Sequence, residues 1–342
     1  MERLTELYEQ KYGTAPDRID VLRTDGSDRK IYRLHKNDST VIGIIGDNRE
    51  ENEAFIAFSR HFYQCNLPVP EIYAVNITEG VYLERDLGDE TLFTWIDSIR
   101  ARHGFNEQIK QMYQQVVAAL PQFQIVAGSS LDYSYCYQHI SFGRESMHWD
   151  LHYFKHRFLN YFFKSKLDHT KLEQDFNTLI AFLLEAGQDY FLYRDFQSRN
   201  VMVVDENPYF IDYQSGRKGA LQYDLGALLY DAKANLPDDF REEMIDHYIY
   251  CVRKILPLDA DTFKTYFDGF VLIRIMQALG AYGYLSVVKG KRDFLKSVPF
   301  ALQNLEKLLQ KQVPILEDMP VLKAIFHQLI DDKSLRELQH GK

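Results

Sequence analysis

The spacing of hydrophobic and polar residues changes once along the chain, near residue 88. Before that point, short apolar runs alternate with turn residues such as Gly, Pro, Asn and Asp, which is typical of antiparallel strands. The runs are residues 19–23, 30–34, 40–45, 72–75 and 81–83. Stretches 1–15 and 49–63 have helical spacing instead. The first part therefore predicts a small antiparallel sheet accompanied by two helices.

After the polar connector at 84–89, apolar residues recur at the three- and four-residue spacing of helices, as in 92–126, 150–165 and 172–183. Residues 127–149 are rich in Tyr and Ser, and we expect them to be irregular. The pattern predicts an α+β protein with two lobes, residues 1–88 and residues 89–342. The site is expected in the cleft between them.

One stretch of the second part, residues 190–231, does not fit the helical pattern. A polar loop at 194–200 leads into an apolar run at 201–204, a predicted turn at 205–208 and a second apolar run that ends at Asp212. A hairpin of this kind brings together the loops at its outer ends, and with them Asp195, Asn200 and Asp212. Two carboxylates and an amide in one place can hold a divalent cation and accept a proton.

Composition narrows the class of protein. A net charge of −9 and 46% hydrophobic residues indicate a globular chain and argue against a nucleic-acid partner. The three cysteines have no zinc-site spacing, and the start lacks a signal-peptide core, so we expect a reducing cytoplasm. No uninterrupted apolar run approaches the ~18 residues of a membrane helix, so we expect no membrane partner.

The hairpin residues resemble a known family. Tyr193-Arg194-Asp195 followed by Asn200 resembles the H-R-D-x-x-x-x-N loop of kinases, and Ile211-Asp212-Tyr213 stands where protein kinases have D-F-G. The longer stretch resembles the aminoglycoside phosphotransferase and choline kinase-like superfamily. It is most similar to the bacterial anomeric N-acetylmuramate/N-acetylglucosamine kinases, and segments 27–33, 83–89 and 272–285 extend the resemblance.

The resemblance implies a bilobal protein kinase-like fold, with a nucleotide-binding lobe at 1–88 and a catalytic and acceptor-binding lobe at 89–342. It implies ATP and Mg²⁺ as cofactors and a small-molecule acceptor. The first expectation for this acceptor is an amino sugar that is phosphorylated at its anomeric hydroxyl. An aminoglycoside, choline or another amino-alcohol is the alternative acceptor. Asp195 would be the base, and Asn200 and Asp212 would hold the metal.

The same resemblance assigns nucleotide-binding residues. Gly26 and Ser27 would let the backbone approach phosphates, and the connector, with Glu84, Asp86 and Leu87, would meet adenine. The third strand lacks the usual kinase lysine, and the missing positive charge could come from Arg29, Lys30 or Arg33. Glu53, with Glu51 second to it, is the expected partner of that cation.

Acceptor contacts are the least defined. Gln197 and Arg199 flank the predicted base, and Gln214 and Arg217 follow the metal aspartate, where packing or solvated-loop roles are the alternatives. Glu145 and Asp150, with His148 and His152, lie near an aromatic helix that could contact a sugar. A rival interpretation is a nucleotide-binding pseudokinase or sensor, because Tyr193 replaces the usual His and the strand lysine is absent.

Overall fold

The computed structural model describes residues 1–22 and 29–340. The chain forms two compact units, the first made of Met1–Ile140 with Ser198–Arg217, and the second of Ser141–Gln197 with the chain from Lys218 onward. The bounds of these units reflect which parts of the chain pack together and do not test the predicted division into functional lobes. The division into lobes at 1–88 and 89–342 stays a prediction.

The first unit contains the predicted antiparallel sheet. Its strands are β1 (Arg18–Leu22), β2 (Lys30–Lys36), β3 (Ser39–Ile45), β4 (Ile72–Asn76) and β5 (Val81–Arg85), in the order β1-β2-β3-β5-β4. Helix α1 (Glu2–Tyr12) packs Leu4 and Leu7 into one core with Leu34 and Leu83 of the sheet. This sheet, in a chain that is otherwise mainly helical, confirms the predicted α+β class.

Helix α2 (Arg49–Gln64) begins where the Asn48 side chain accepts a hydrogen bond from the Glu51 amide, which satisfies an orphan donor of the first turn. Its buried aromatic residues have helical spacing and meet the segment after the hairpin. The Phe55 ring stacks on Tyr213 with centroids 5.2 Å apart, and Phe62 contacts Tyr213 edge-on at 5.3 Å. These contacts fix α2 against the residues that follow Asp212.

The predicted hairpin consists of β7 (Val201–Val204) and β8 (Asn207–Phe210). Its turn is shorter than expected, because Asp205 and Glu206 both have left-handed φ values, 48° and 61°, as in a two-residue turn. The predicted turn over 205–208 is therefore too long, since its last two residues belong to β8. The remaining helices of the unit are α3 (Leu92–His103) and α4 (Glu107–Pro121).

The second unit is mainly helical. Its elements are α5 (Arg144–Phe154), α6 (Asn160–Phe162), α7 (His169–Leu184), α8 (Gln222–Leu229), α9 (Asp238–Arg253), α10 (Ala260–Gly283), α11 (Val298–Gln310), α12 (Pro320–Asp331) and α13 (Lys333–Arg336), with strands β6 (Tyr190–Leu192) and β9 (Arg217–Gly219). Helix α5 begins inside the region predicted to be irregular. A π-helical turn, Lys155–Leu159, interrupts the helix expected over 150–165.

Helix α10 is the long core element of this unit. A side chain at Gly283 would collide with the carbonyl oxygen of Arg157, so glycine permits the close approach of α10 to the π-helical turn. The span Ala260–Val288 is long and apolar enough to cross a membrane by length and composition, but half of its most apolar window is buried inside the protein. A buried core helix passes the same test, so this is weak evidence for a membrane span.

Candidate active site

Asn200 and Asp212 lie side by side in the first unit. The Asn200 amide Nδ2 donates to Asp212 Oδ2 over 3.1 Å, and the Ile211 amide donates to the Asn200 carbonyl over 3.0 Å. Asp212 has a left-handed φ of 70°, which is uncommon outside glycine and is often found at functional sites. The hairpin therefore brings these two side chains together, as its sequence predicts.

Arg29 joins this pair. Its Nη2 donates to Asp212 Oδ1 over 2.8 Å, and its Nε lies 3.4 Å from Glu51 Oε1. Burial works to lower the pKa of the guanidinium, but Tyr82, Asp212 and Glu51 outweigh it and raise the pKa. A permanently charged side chain, 12% exposed, thus stands beside the candidate metal residues.

The acid that faces Arg29 is Glu51, not the first-choice candidate Glu53. Glu53 forms an ion pair with Arg49 on the same helix, over 2.8 Å, and is partly exposed. Gln214 donates to Asp212 Oδ1 over 2.8 Å and to Glu51 Oε1 over 3.4 Å, so it links the two acids. The difference between Glu51 and Glu53 is one of helix face, because residues two apart on a helix point in different directions.

The other two cations proposed from the sequence have different surroundings. Lys30 is exposed. Arg33 binds both carboxylate oxygens of Asp86, over 2.6 and 3.0 Å, and also Asp89 over 2.9 Å. Burial favours a higher pKa for Asp86, but its hydrogen bonds to Arg33 and Gly88 lower it. This fork ties β2 to the connector, which favours a structural role for Arg33.

Gly26 and Ser27 lie outside the described residues. Leu87 is buried and Glu84 is partly buried. Burial raises the pKa of Glu84 to about 8, against the opposing effect of Arg29 and with a smaller contribution from Asp86. In the described part of the chain, Glu84 Oε2 has no hydrogen-bond partner. The connector therefore carries a carboxyl group that is mostly protonated at neutral pH.

Arg194 dominates the polar loop in the second unit. Its guanidinium makes a two-pronged ion pair with Asp150, over 2.6 and 2.8 Å, and donates to the Tyr223 hydroxyl over 2.6 Å. The ring of Phe142 lies 4.9 Å from the guanidinium carbon. Arg194 has a left-handed φ of 80°, so this side-chain network holds a strained backbone directly before Asp195.

Asp224 fixes the same backbone from another direction. Its carboxylate accepts hydrogen bonds from the amides of Tyr193, over 2.7 Å, and Arg194, over 2.9 Å. It is fully buried in the first turn of α8. The Gln197 amide donates to the Asp195 carbonyl over 3.0 Å. Asp195 is therefore held by contacts to the chain on both sides of it.

The predicted acceptor residues are dispersed. Glu145 is exposed in the first turn of α5, and the Arg199 guanidinium lies 5.0 Å from the Phe93 ring. Arg217 is buried and donates to the Ser215 carbonyl over 3.0 Å. Both carboxylate oxygens of Asp150 bind Arg194. This geometry favours a positioning role for Asp150 over the acceptor contact that we expected.

Two contributors were missed from the sequence. The hydroxyl of Tyr213 hydrogen-bonds Ser59 over 2.6 Å, which secures α2 next to Asp212, and Tyr223 supplies the hydroxyl that binds Arg194. Each contact joins positions far apart in the chain. Local spacing carries no signal for such pairs, and only the kinase-like context of Tyr213, directly after Asp212, could have suggested the first.

Comparison with known proteins defines the class. A family model described as "Phosphotransferase enzyme family" matches residues 21–258, so the chain belongs to the phosphotransferase enzyme family. This agrees with the resemblance predicted from the hairpin. It also confirms the prediction that the enzyme is a phosphotransferase with an alcohol group as acceptor.

Three curated relatives carry one name, N-acetylmuramate/N-acetylglucosamine kinase. The protein of Pseudomonas aeruginosa is 23% identical over 301 residues, which is 86% of this chain and 84% of the relative, and that of Pseudomonas putida is 22% identical over 322 residues, 92% and 91%. The Neisseria meningitidis protein is 26% identical, and its match covers 48% of this chain and about half of the relative's length (48%).

Solved structures share the fold. The amicoumacin kinase hAmiN, in complex with AMP-PNP, Ca²⁺ and Ami, has a TM-score of 0.60 at 13% identity, covering 92% of this chain and 94% of that one. A choline kinase from Cryptosporidium parvum has a TM-score of 0.61 at 12% identity, covering 88% and 92%. The predicted kinase-like fold is confirmed.

Proposed function

We propose that this chain is an ATP- and Mg²⁺-dependent kinase that transfers the γ-phosphoryl group to the anomeric hydroxyl of an amino sugar, with N-acetylmuramate and N-acetylglucosamine as the acceptors to test first. The observation that carries the reaction class is the group formed by Asn200, Asp212, Arg29 and Glu51. The names of the three curated relatives support the sugar acceptor.

The residues present fit a magnesium ion. Asp212 offers a carboxylate that is 35% exposed. The Nδ2 of Asn200 donates to Asp212, so the amide oxygen Oδ1 of Asn200 is the atom of that side chain that could bind a metal. Oxygen ligands of this kind suit a hard divalent cation. Mg²⁺ held there would neutralise charge on the β- and γ-phosphates.

Arg29 takes the place of the strand lysine that this chain lacks. The guanidinium lies within ion-pair distance of Asp212 and Glu51, so its charge sits where the negative charge of a transferred phosphoryl group would develop. Glu51 and Gln214 orient this group. This cation lies directly before β2 rather than on the third strand, and its presence weakens the case for a decayed pseudokinase.

Asp195 accepts the proton of the acceptor hydroxyl. A positioned base of this kind contributes typically ~10²–10⁴-fold to the rate. The loop is held by Asp224, through the amides of Tyr193 and Arg194, and by the ion pair of Arg194 with Asp150. We assign these contacts to the orientation of Asp195.

We also propose a cytoplasmic site of action with no nucleic-acid or membrane partner.

The test offers the purified enzyme ATP, Mg²⁺ and matched acceptors. We expect phosphate transfer to N-acetylglucosamine and N-acetylmuramate, and none to methyl N-acetylglucosaminide, whose anomeric oxygen is blocked. Phosphorus NMR then places the product phosphate on the anomeric carbon. Equal transfer to the blocked sugar overturns the anomeric assignment, and transfer only to choline or an aminoglycoside overturns the sugar. Binding of ATP with no transfer to any acceptor supports the sensor.

A further inference from the structure

Helices α5 and α7 carry a cluster of side chains with no part in the proposed phosphoryl transfer. His148 and His152 are four residues apart on α5 and therefore share a face. Their rings lie 4.3 Å apart between centroids. Glu173 of α7 faces both, with Oε1 2.6 Å from His148 Nε2 and Oε2 2.9 Å from His152 Nε2. One ligand-type atom from each residue falls within 4.8 Å of the others.

We propose that His148, His152 and Glu173 bind one divalent transition-metal ion of the zinc class. Two imidazole nitrogens and one carboxylate oxygen are a donor set that zinc accepts, with water or an anion in the remaining position. Nitrogen ligands select against Mg²⁺ and Ca²⁺, which prefer oxygen. The ion would join α5 to α7 and is separate from the magnesium proposed at Asn200 and Asp212.

The separations suit such an ion after a small adjustment. Metal bonds of ~2.0–2.1 Å in a tetrahedral arrangement place neighbouring ligand atoms ~3.3 Å apart. Measured to the single oxygen Oε1 of Glu173, the two imidazole-to-carboxylate distances are 2.6 and 3.1 Å, and each needs to open by less than an ångström. Side-chain rotation supplies that much without moving either helix. The hydrogen bonds between the three residues would be exchanged for bonds to the metal.

The cluster is open to solvent. The side chains of His148, His152 and Glu173 are 34%, 35% and 30% exposed. A cleft of about 620 Å³ is lined partly by His152 and Trp149, and a hollow of about 450 Å³ is lined partly by Glu173. A metal ion can therefore reach the ligands, and a water molecule has room in the fourth position.

Lys155 is the nearest competitor. Its Nζ lies 3.8 Å from Glu173 Oε2. A metal would share this carboxylate with Lys155. Replacing Lys155 by Met should therefore strengthen metal binding.

The location gives the ion a consequence for the rest of the unit. Asp150, which pairs with Arg194, lies between His148 and His152 in the sequence of α5 and is fully buried. A metal on the outer face of α5 fixes that helix against α7. Because the ion binds the folded chain, it raises the melting temperature, and the rise continues with the logarithm of the free metal concentration above Kd.

The experiment uses full-length, tag-free protein, stripped of metal with a chelator and titrated with Zn²⁺ by calorimetry and with Co²⁺ by visible absorption. We expect one ion per chain. His152→Ala and Glu173→Gln should each weaken binding at least about tenfold, since even outer-shell changes at metal sites cost that much. Lys155→Met should bind more tightly. His156→Ala, one turn further along, is the matched control and should bind as the parent does.

Three results overturn the proposal: no stoichiometric binding, equal binding by the parent, His152→Ala and Glu173→Gln, or a sulfur-to-cobalt absorption band that disappears in Cys251→Ser. The last result would locate the ion at Cys251 and His247, whose side chains lie 3.7 Å apart. Melting curves without metal show whether each variant is folded. If one ligand variant fails to fold, His148→Ala provides the same comparison.

Discussion

Two arginines that are largely covered, Arg29 in the first unit and Arg194 in the second, show how the same side chain can be fixed for different purposes. Arg29 and Arg194 are both 12% exposed, and each forms ion pairs and contacts an aromatic ring. Their acids differ. Arg194 pairs with Asp150, which is inaccessible, whereas Arg29 pairs with Glu51 and Asp212, which are 19% and 35% exposed. One network is sealed, and the other can be reached by a ligand.

This difference in exposure indicates that the two arginine networks have different roles. A sealed ion pair has no partner to exchange, so Asp150 and Arg194 serve to hold the loop before Asp195. The network of Arg29 can exchange a carboxylate for a phosphate or a metal, because its acids are open to solvent. We therefore interpret the first as a positioning device and the second as part of a binding site.

The largest effect should come from the residue that the sealed network positions. Asp195→Asn removes the proposed base and should lower the rate of phosphoryl transfer ~10²–10⁴-fold. Steady-state kinetics measure the loss, and an unchanged melting temperature shows that the fold is retained. If turnover with every acceptor is unaltered, Asp195 is not the base and the loop is held for another reason.

Breaking the sealed network should cost stability. Asp150→Asn leaves the Arg194 charge buried without its counter-ion, which typically destabilises by about 3–5 kcal/mol. Urea unfolding gives the free energy. Asp246→Asn is the control, because Asp246 forms an equally short pair with Lys264, 2.6 Å, on the surface, and such exposed pairs contribute about 1 kcal/mol or less. Equal losses of unfolding free energy in the two variants would contradict the interpretation that the pair of Asp150 and Arg194 is sealed from solvent.

Changing the open network should affect nucleotide use more than stability. Arg29→Met should lower kcat/KM for ATP about 100-fold, which is the usual cost of one charge-stabilising group. Arg29→Lys should restore part of it. Kinetics with varied ATP measure both.

Glu51 and Glu53 provide a matched pair for the same network. Glu51→Gln should reduce kcat/KM for ATP by about tenfold, because the acid that orients Arg29 is lost. Glu53→Gln should have no effect, since Glu53 pairs with Arg49 on the surface. A larger effect at Glu53 would show that the sequence-based choice was correct and the geometric one is not.

The smallest effect concerns Glu84 in the first unit, whose Oε2 has no hydrogen-bond partner in the described part of the chain. The pKa of Glu84 is about 8 in the folded chain, against an ordinary value of 4.5, so the folded state holds a proton that the unfolded state releases. The free energy of unfolding should therefore fall gradually as the pH rises from 4.5 to 8. Glu84→Gln should flatten that slope in unfolding curves measured across this range. An unchanged slope would contradict the raised pKa.

Much of the fold could be predicted from the chain itself. The strands of the first sheet, α2 and the hairpin follow from local periodicity and turn residues, which act over a few positions. Boundaries were less accurate where tertiary packing decided them. Helix α5 begins within a segment that looked irregular, because its buried residues, among them Met147 and Leu151, pack in the interior.

The candidate site divides in the same way. The sequence predicts that Asn200 and Asp212 meet because a short turn, expected over 205–208 and found to be two residues long, links their strands, so short-range geometry determines the contact. The sequence alone favours Glu53 over Glu51 and places Asp150 at the acceptor. Both predictions fail because the faces and partners of these residues depend on packing across long stretches of chain. No local pattern encodes such a pairing.

The sequence by itself determined the class of reaction, because Asp195, Asn200 and Asp212 stand within one short stretch that resembles the catalytic segment of kinases. The tertiary structure alone decided which cation and acids surround them. Arg29 reaches Asp212 across 183 positions and Asp150 reaches Arg194 across 44. Charge and hydrogen bonding act over a few ångströms of space, whatever the separation along the chain, so only folding can select these partners.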